Sequence, residues 1–175
     1  WEWIVSRDGS PYLMEVNTRI QVENEISACI SRLNGSNEPP NLIRDQIRVA
    51  LGDRLGFTQE DISFEGTSIE LRIVAEDTKR GFAPWCGTIT RFDYPDEPWA
   101  RLYSHVPRDT PYKIPTEYDP NFALAIIWGQ DTEQAKERAR QFQNRTIIEG
   151  KGAKDESIIT NLEYLYDRID DVLQF

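Results

Sequence analysis

The sequence contains no apolar run close to the roughly 20 residues that a bilayer span requires, and no charged, apolar and small-residue leader opens it. Cysteine is scarce: Cys29 and Cys86 lie far apart, with no CxxC pair and no histidine beside them. This excludes a disulfide framework and a structural zinc site, and leaves two reduced thiols. The single histidine, His105, reads as a packed or hydrogen-bonded structural residue rather than a catalyst. Basic residues are in the minority, with 20 Lys and Arg against 30 Asp and Glu and a net charge of -10, and they do not gather in one patch. Nucleic acid and anionic membranes are therefore excluded as partners. There is no glycine-rich phosphate loop, internal repeat or low-complexity linker.

What is present suits a globular chain. Of 175 residues, 39% are hydrophobic, and 7 Phe, 7 Tyr and 5 Trp supply bulk for a core. A domain of this size removes roughly two thirds of its unfolded surface from water, which excludes disorder as the main state. With no leader and no span, the expected compartment is the cytoplasm. The chain opens at Trp1, without methionine, inside an alternating pattern (Trp1, Trp3, Val5) that already reads as a strand. The expectation is a fragment of a longer protein.

Residues 1–17 read as a β-hairpin, Trp1 to Ser6 and Tyr12 to Asn17, turning at Asp8-Gly9. Ile26, Ile30 and Leu33 predict a short helix from Asn24 to Leu33. Leu42, Ile43, Gln46, Ile47, Ala50 and Leu51 predict a second, stopped by Gly52. Beyond Thr58 the texture changes to strands, over Ser68 to Val74, Gly87 to Asp93, Ala100 to Val106 and the continuous apolar run Ala123 to Trp128. Two helices follow, Thr132 to Arg145 and Thr160 to Leu173, with Asp131 and Ser157 or Thr160 as caps. The fold class is α+β, with antiparallel strands and flanking helices, and the domain boundary falls near residues 58–66.

The hairpin register carries the chemistry. A two-residue Asp8-Gly9 loop sets Glu2 directly across from Glu15, and facing like charges are destabilising unless something positive lies between them. If the chain stays extended past Glu15, then Glu15, Asn17, Arg19, Gln21 and Glu23 share one face, while Met14, Val16, Ile20 and Val22 take the other. Oxygen donors from Glu2, Glu15 and Asn17 suit a hard ion such as Mg²⁺. Arg19 offers a planar fork to a small oxyanion, and Glu23 can serve as a general base. A merely solvated strand face is the competing reading.

The run Tyr12-Leu13-Met14-Glu15-Val16-Asn17-Thr18-Arg19-Ile20-Gln21-Val22-Glu23 closely resembles the E-x-N-x-R-x-Q-V-E signature of biotin carboxylases, the ATP-grasp enzymes of acetyl-CoA, propionyl-CoA and pyruvate carboxylases. Supporting segments follow in order: Ile69 to Ile73 before Ala75-Glu76-Asp77, Gly87 to Phe92, Ser104-His105 and Tyr118-Asp119. The resemblance implies the end of an ATP-grasp domain over residues 1–64 and a biotin carboxylase C-terminal domain over 65–175. It implies that Glu2, Glu15 and Asn17 hold Mg²⁺ or Mn²⁺ against the phosphates of ATP, and that Arg19, Gln21 and the backbone of Val22 bind bicarbonate. Glu23 then deprotonates bicarbonate, and Arg72 holds the ureido oxygen of biotin. The implied activity is ATP- and bicarbonate-dependent carboxylation of biotin on a carrier domain through carboxyphosphate. Implied partners are that carrier, a carboxyltransferase that decides the final acceptor, and a second copy in a homodimer.

Some positions depart from the family pattern: Asn24 stands for its histidine, Val74 for its asparagine and Leu124 for its lysine, and Ala83 to Gly87 replace its Ser-Pro-Gly turn. No adenine- or phosphate-binding lysine motif is present, so this polypeptide alone is expected to be inactive. On residue pattern alone Arg72 also fits an ordinary ion pair with Glu70. Two alternatives are a non-catalytic scaffold or dimerisation domain and an ATP-grasp ligase with a different acceptor.

Overall fold

The computed structural model describes residues 1–34, 36, 38–107, 109, 111–117 and 120–171. The motif residues Tyr118 and Asp119, and the expected helix end at Leu173, lie outside the described residues. The chain divides into two units, Trp1–Ser63 and Phe64–Phe175.

The first unit begins with β1 (Glu2–Val5) and β2 (Pro11–Glu15), an antiparallel hairpin. Its loop is longer than the Asp-Gly pair suggests. Val5 pairs with Pro11, and Ser6 N donates to Ser10 O at 3.0 Å. Asp8 organises the loop by accepting from the Ser6 hydroxyl and from Ser10 N. Those two donors, the hydroxyl first, hold the Asp8 carboxyl below its usual range. Helix α1 (Asn24–Ile30) is shorter than expected, because the chain turns extended at Ser31 and enters β3 (Ser31–Leu33), which pairs with β4 (Ile62–Phe64). Helix α2 (Leu42–Ala50) is capped by Asn41, whose side chain accepts from Arg44 N at 2.8 Å, and Gly52 follows at φ +96°. The expected apolar stripe is present, but Ile43 and Ile47 lie exposed and Asp45 is the buried residue.

In the second unit, β5 (Thr67–Val74) is followed by the short pair β6 (Glu76–Asp77) and β7 (Ala83–Pro84), then β8 (Gly87–Asp93) and β9 (Ala100–Ser104). After β10 (Tyr112–Lys113) come β11 (Asn121–Gly129), α3 (Thr132–Arg145), β12 (Ile147–Gly152) and α4 (Leu162–Asp167). Two antiparallel sheets result, ordered β5-β11-β9 and β10-β8-β12. The class is α+β. Central β11 is buried on both faces, which is why its sequence is a continuous apolar run rather than an alternation. By contrast β5 alternates, with Ile69, Leu71 and Ile73 in the core and Glu70 and Arg72 on the other face.

Asp131 caps α3 by accepting from Gln134 N at 2.8 Å. The helix packs Ala135, Ala139 and Phe142 into the core. Gly129 is obligatory at the crossing, since a Cβ there would lie 2.3 Å from Ala135 N. Phe142 is fully buried, so Phe142→Ala should lower stability by about 3–5 kcal/mol in urea denaturation. A change below about 1 kcal/mol would mean that the site collapses to fill the cavity.

The strand expected to reach Val106 stops at Ser104, where the Ser104 hydroxyl accepts from Val106 N at 3.0 Å. The last helix starts at Leu162, not Thr160, and after Asp167 the chain passes to a 3₁₀ turn at Ile169–Asp171. His105 is exposed rather than packed, and its backbone N–H donates to Phe122 O at 3.0 Å.

Candidate active site

Glu2 lies opposite Glu15 in the hairpin, although through a different register from the two-residue loop. From the turn to Trp3 and Leu13 the pairing is offset by one residue. A bulge at Met14 then restores the Glu2–Glu15 opposition. The two carboxylates converge on one nitrogen: Asn17 Nδ2 donates to Glu2 Oε1 at 2.7 Å and to Glu15 Oε1 at 3.1 Å. Gln21 Nε2 donates to the same Glu2 oxygen at 3.1 Å. Two like charges are thus held beside each other by amide donors, which offset part of their repulsion.

The extended face expected over residues 15–23 does not form. β2 ends at Glu15, and the chain then bends at Arg19 and turns at Val22 and Glu23 into α1. Glu2, Glu15, Asn17 and Gln21 therefore come together, but Arg19 does not join them by a hydrogen bond. Its Nη1 donates to Ile20 O at 3.2 Å, and its side chain is exposed. Val22 is exposed and Glu23 half-buried at the entry to α1, where the Glu23 carbonyl accepts from Ile26 N at 3.1 Å. Asn24 steadies this turn by donating to Gln21 O at 2.9 Å.

Arg72 belongs to the second unit. It sits opposite Leu124 in the β5–β11 ladder, and its Nη2 lies 3.7 Å from Glu70 Oε1 on the same face. The Glu70 side chain is 8% exposed and that of Arg72 40%, so the acid is sunk in the surface while the guanidinium reaches outward. Asn161 went unnoticed in the sequence, where Thr160-Asn161 before an apolar run reads only as a helix start. Its side chain bonds the backbone of β5, accepting from Val74 N at 2.9 Å and donating to Arg72 O at 2.9 Å.

Two carboxylates and an amide oxygen suit a hard cation that completes its shell with water and phosphate oxygens. Among the described residues no group of three or more His, Cys, Asp and Glu side chains is arranged to hold a metal. Among the same residues no helix is long and apolar enough to cross a membrane. Cys29 and Cys86 are free thiols, the first buried and the second exposed.

Residues 70–170 match the family model of the biotin carboxylase C-terminal domain. The chain is 42% identical to biotin carboxylase 1, chloroplastic, of Populus trichocarpa over 149 residues, which are 85% of this chain and 26% of that protein. It is 40% identical to the 2-oxoglutarate carboxylase small subunit of Hydrogenobacter thermophilus, again over 85% of this chain and over 30% of the relative. Among solved structures it is similar to the biotin carboxylase domain dimer of the H. thermophilus 2-oxoglutarate carboxylase in complex with MgADP, ADP and bicarbonate. The TM-score is 0.82 at 35% identity, covering 97% of this chain and 34% of that one. The chain thus spans only 26% to 34% of the length of these relatives.

Proposed function

The chain belongs to the biotin carboxylase C-terminal domain family, and on that premise we propose that it is part of an enzyme that carboxylates biotin on a carrier domain at the expense of ATP and bicarbonate. The observation that carries the proposal is the pair Glu2 and Glu15, whose carboxylates share the Asn17 amide. An arrangement that keeps two anions together is costly unless a cation joins them in the working state. In this reading Glu2, Glu15 and the Asn17 oxygen hold Mg²⁺ or Mn²⁺. When bound, the ion neutralises phosphate oxygens of ATP.

The remaining residues divide the chemistry of a poor nucleophile. Arg19, with Gln21 and the backbone of Val22, binds bicarbonate and steadies its charge. Glu23 removes its proton, so that the oxygen attacks the γ-phosphorus and ADP departs, giving carboxyphosphate. Carboxyphosphate then breaks down to CO₂ and phosphate, and the phosphate takes the N1 proton of biotin. Arg72 stabilises the enolate-like ureido anion that attacks CO₂. Residues 1–64 are read as the end of the ATP-grasp domain and 65–175 as the C-terminal domain. The structural neighbour is a dimer, which supports a homodimer for the whole enzyme. The same reading gives it a carrier domain and a carboxyltransferase as partners. The free thiols suit a reducing compartment, and the reading places the enzyme in the cytoplasm.

The test is made on the full-length protein. ATP cleavage should require bicarbonate and Mg²⁺ and should rise on addition of free biotin, with carboxybiotin as product. ATP cleavage indifferent to biotin would favour a ligase with another acceptor, and no ATP cleavage at all would favour a scaffold.

A further inference from the structure

We propose that Asn161 is a positioning residue for Arg72, fixing the stretch of backbone from which the guanidinium projects; the inference rests on the role given to Arg72 above. β5 is an edge strand, with β11 on one side. Around residues 72–74 its other edge is met by one asparagine instead of a strand. Asn161 N donates to Val74 O at 3.1 Å, its Oδ1 accepts from Val74 N at 2.9 Å, and its Nδ2 donates to Arg72 O at 2.9 Å. Asn161 is 6% exposed, so water does not compete for these bonds.

The position makes this use of the side chain informative. Asn161 occupies the N-cap of α4, where an asparagine normally turns its oxygen onto an N–H of the first helical turn. It makes no such bond. Both arms of the amide are given to β5, and the helix start is left to Thr160, whose hydroxyl accepts from Leu162 N at 3.4 Å. On the opposite flank the β11 ladder is irregular between Asn121 and Ala123, beside Ile73 and Val74. The clamp therefore acts where ordinary strand pairing is interrupted. The next residue is anchored in turn, since Gln143 Nε2 of α3 donates to Leu162 O at 3.2 Å.

All three bonds fall within two residues of Arg72. A backbone shift there is carried out along a long side chain to the guanidinium, and misplacing a catalytic group by about 1 Å costs on the order of 10²-fold in rate. Asn161→Ala removes both arms of the clamp. Asn161→Asp keeps an acceptor for Val74 N but sets a carboxylate against Arg72 O.

The experiment uses the full-length enzyme with Asn161→Ala, Asn161→Asp, Arg72→Ala and the Arg72→Ala/Asn161→Ala double variant, measuring kcat for biotin carboxylation, KM for ATP, and melting temperature. The expected result is a roughly 10- to 100-fold loss of kcat in the single Asn161 variants, with KM for ATP within about twofold of wild type. In the Arg72→Ala background, Asn161→Ala should add less than about threefold. Multiplicative losses in the double variant, or an unchanged kcat in a folded Asn161 variant, would overturn the inference. If Arg72→Ala itself carboxylates biotin at the wild-type rate, it is the assignment of Arg72 that fails. Should the Asn161 variants not fold, hydrogen exchange on the wild-type enzyme decides: the Val74 amide should be as protected as the central amides of β11, and exchange at the rate of an open strand edge would overturn the clamp.

Discussion

Glu23→Gln in the full-length enzyme is expected to lower bicarbonate-dependent carboxylation of biotin by roughly 10²- to 10⁴-fold, the range that a positioned general base contributes. The substitution keeps the size of the side chain and removes its negative charge, and with it the ability to take a proton. The backbone bond that begins α1 should survive it, because it is made by the Glu23 carbonyl, which accepts from Ile26 N. The KM for ATP should stay near wild type, since a base that acts on bicarbonate in the transition state contributes little to ground-state nucleotide binding. A loss below about threefold, with a normal circular dichroism spectrum, would assign proton removal to another group.

Glu15→Gln is expected to cost roughly 10²- to 10³-fold in the same assay, a few kcal/mol of charge stabilisation at the transferring phosphate. The substitution has opposite consequences with and without cation. In the free protein it relieves the repulsion between Glu2 and Glu15 and leaves Asn17 Nδ2 an amide oxygen to donate to. The hairpin should therefore be as stable as wild type or slightly more so. With metal and nucleotide present, one of two anionic donors is missing. Raised or unchanged stability combined with lost activity is the signature of a residue retained for binding a cation. Loss of both together would point to a structural role for Glu15.

Much of the second unit was legible in the sequence. β8 and α3 carry the bounds that alternation and 3.6-residue spacing predict, and Asp131 caps α3 as its residue type suggests. The buried run of β11 reads correctly because a central strand needs no polar face. The short strands β6, β7 and β10 were not legible: two residues carry no periodicity, and their pairing is decided by neighbours distant in sequence. β12 is six residues with Gly150 and Gly152 interrupting its alternation, which hides it as a strand. Helix α1 ends early because its last expected turn is claimed by the pairing of β3 with β4.

At the candidate site the facing acids Glu2 and Glu15 were foreseen, although the bulge at Met14 that makes them face each other was not. Bulges follow from twist and pairing and leave no mark in an apolar/polar pattern. The extended face through Glu23 failed for a related reason: alternation shows which side chains share a face only while the chain stays extended, and the bend at Arg19 and the turn at Val22 and Glu23 interrupt it. Asn161 was missed because a helix-start asparagine looks the same whether its amide caps the helix or clamps a neighbouring strand.

The account stands on Glu2 and Glu15 gripping one divalent cation in company with a nucleotide. Electron paramagnetic resonance of Mn²⁺ bound to the full-length protein in the presence of ADP measures this directly, with wild type set against Glu2→Gln and Glu15→Gln. The account predicts that each substitution weakens Mn²⁺ binding by at least about tenfold while the proteins remain folded. Equal affinity in wild type and both variants would contradict it.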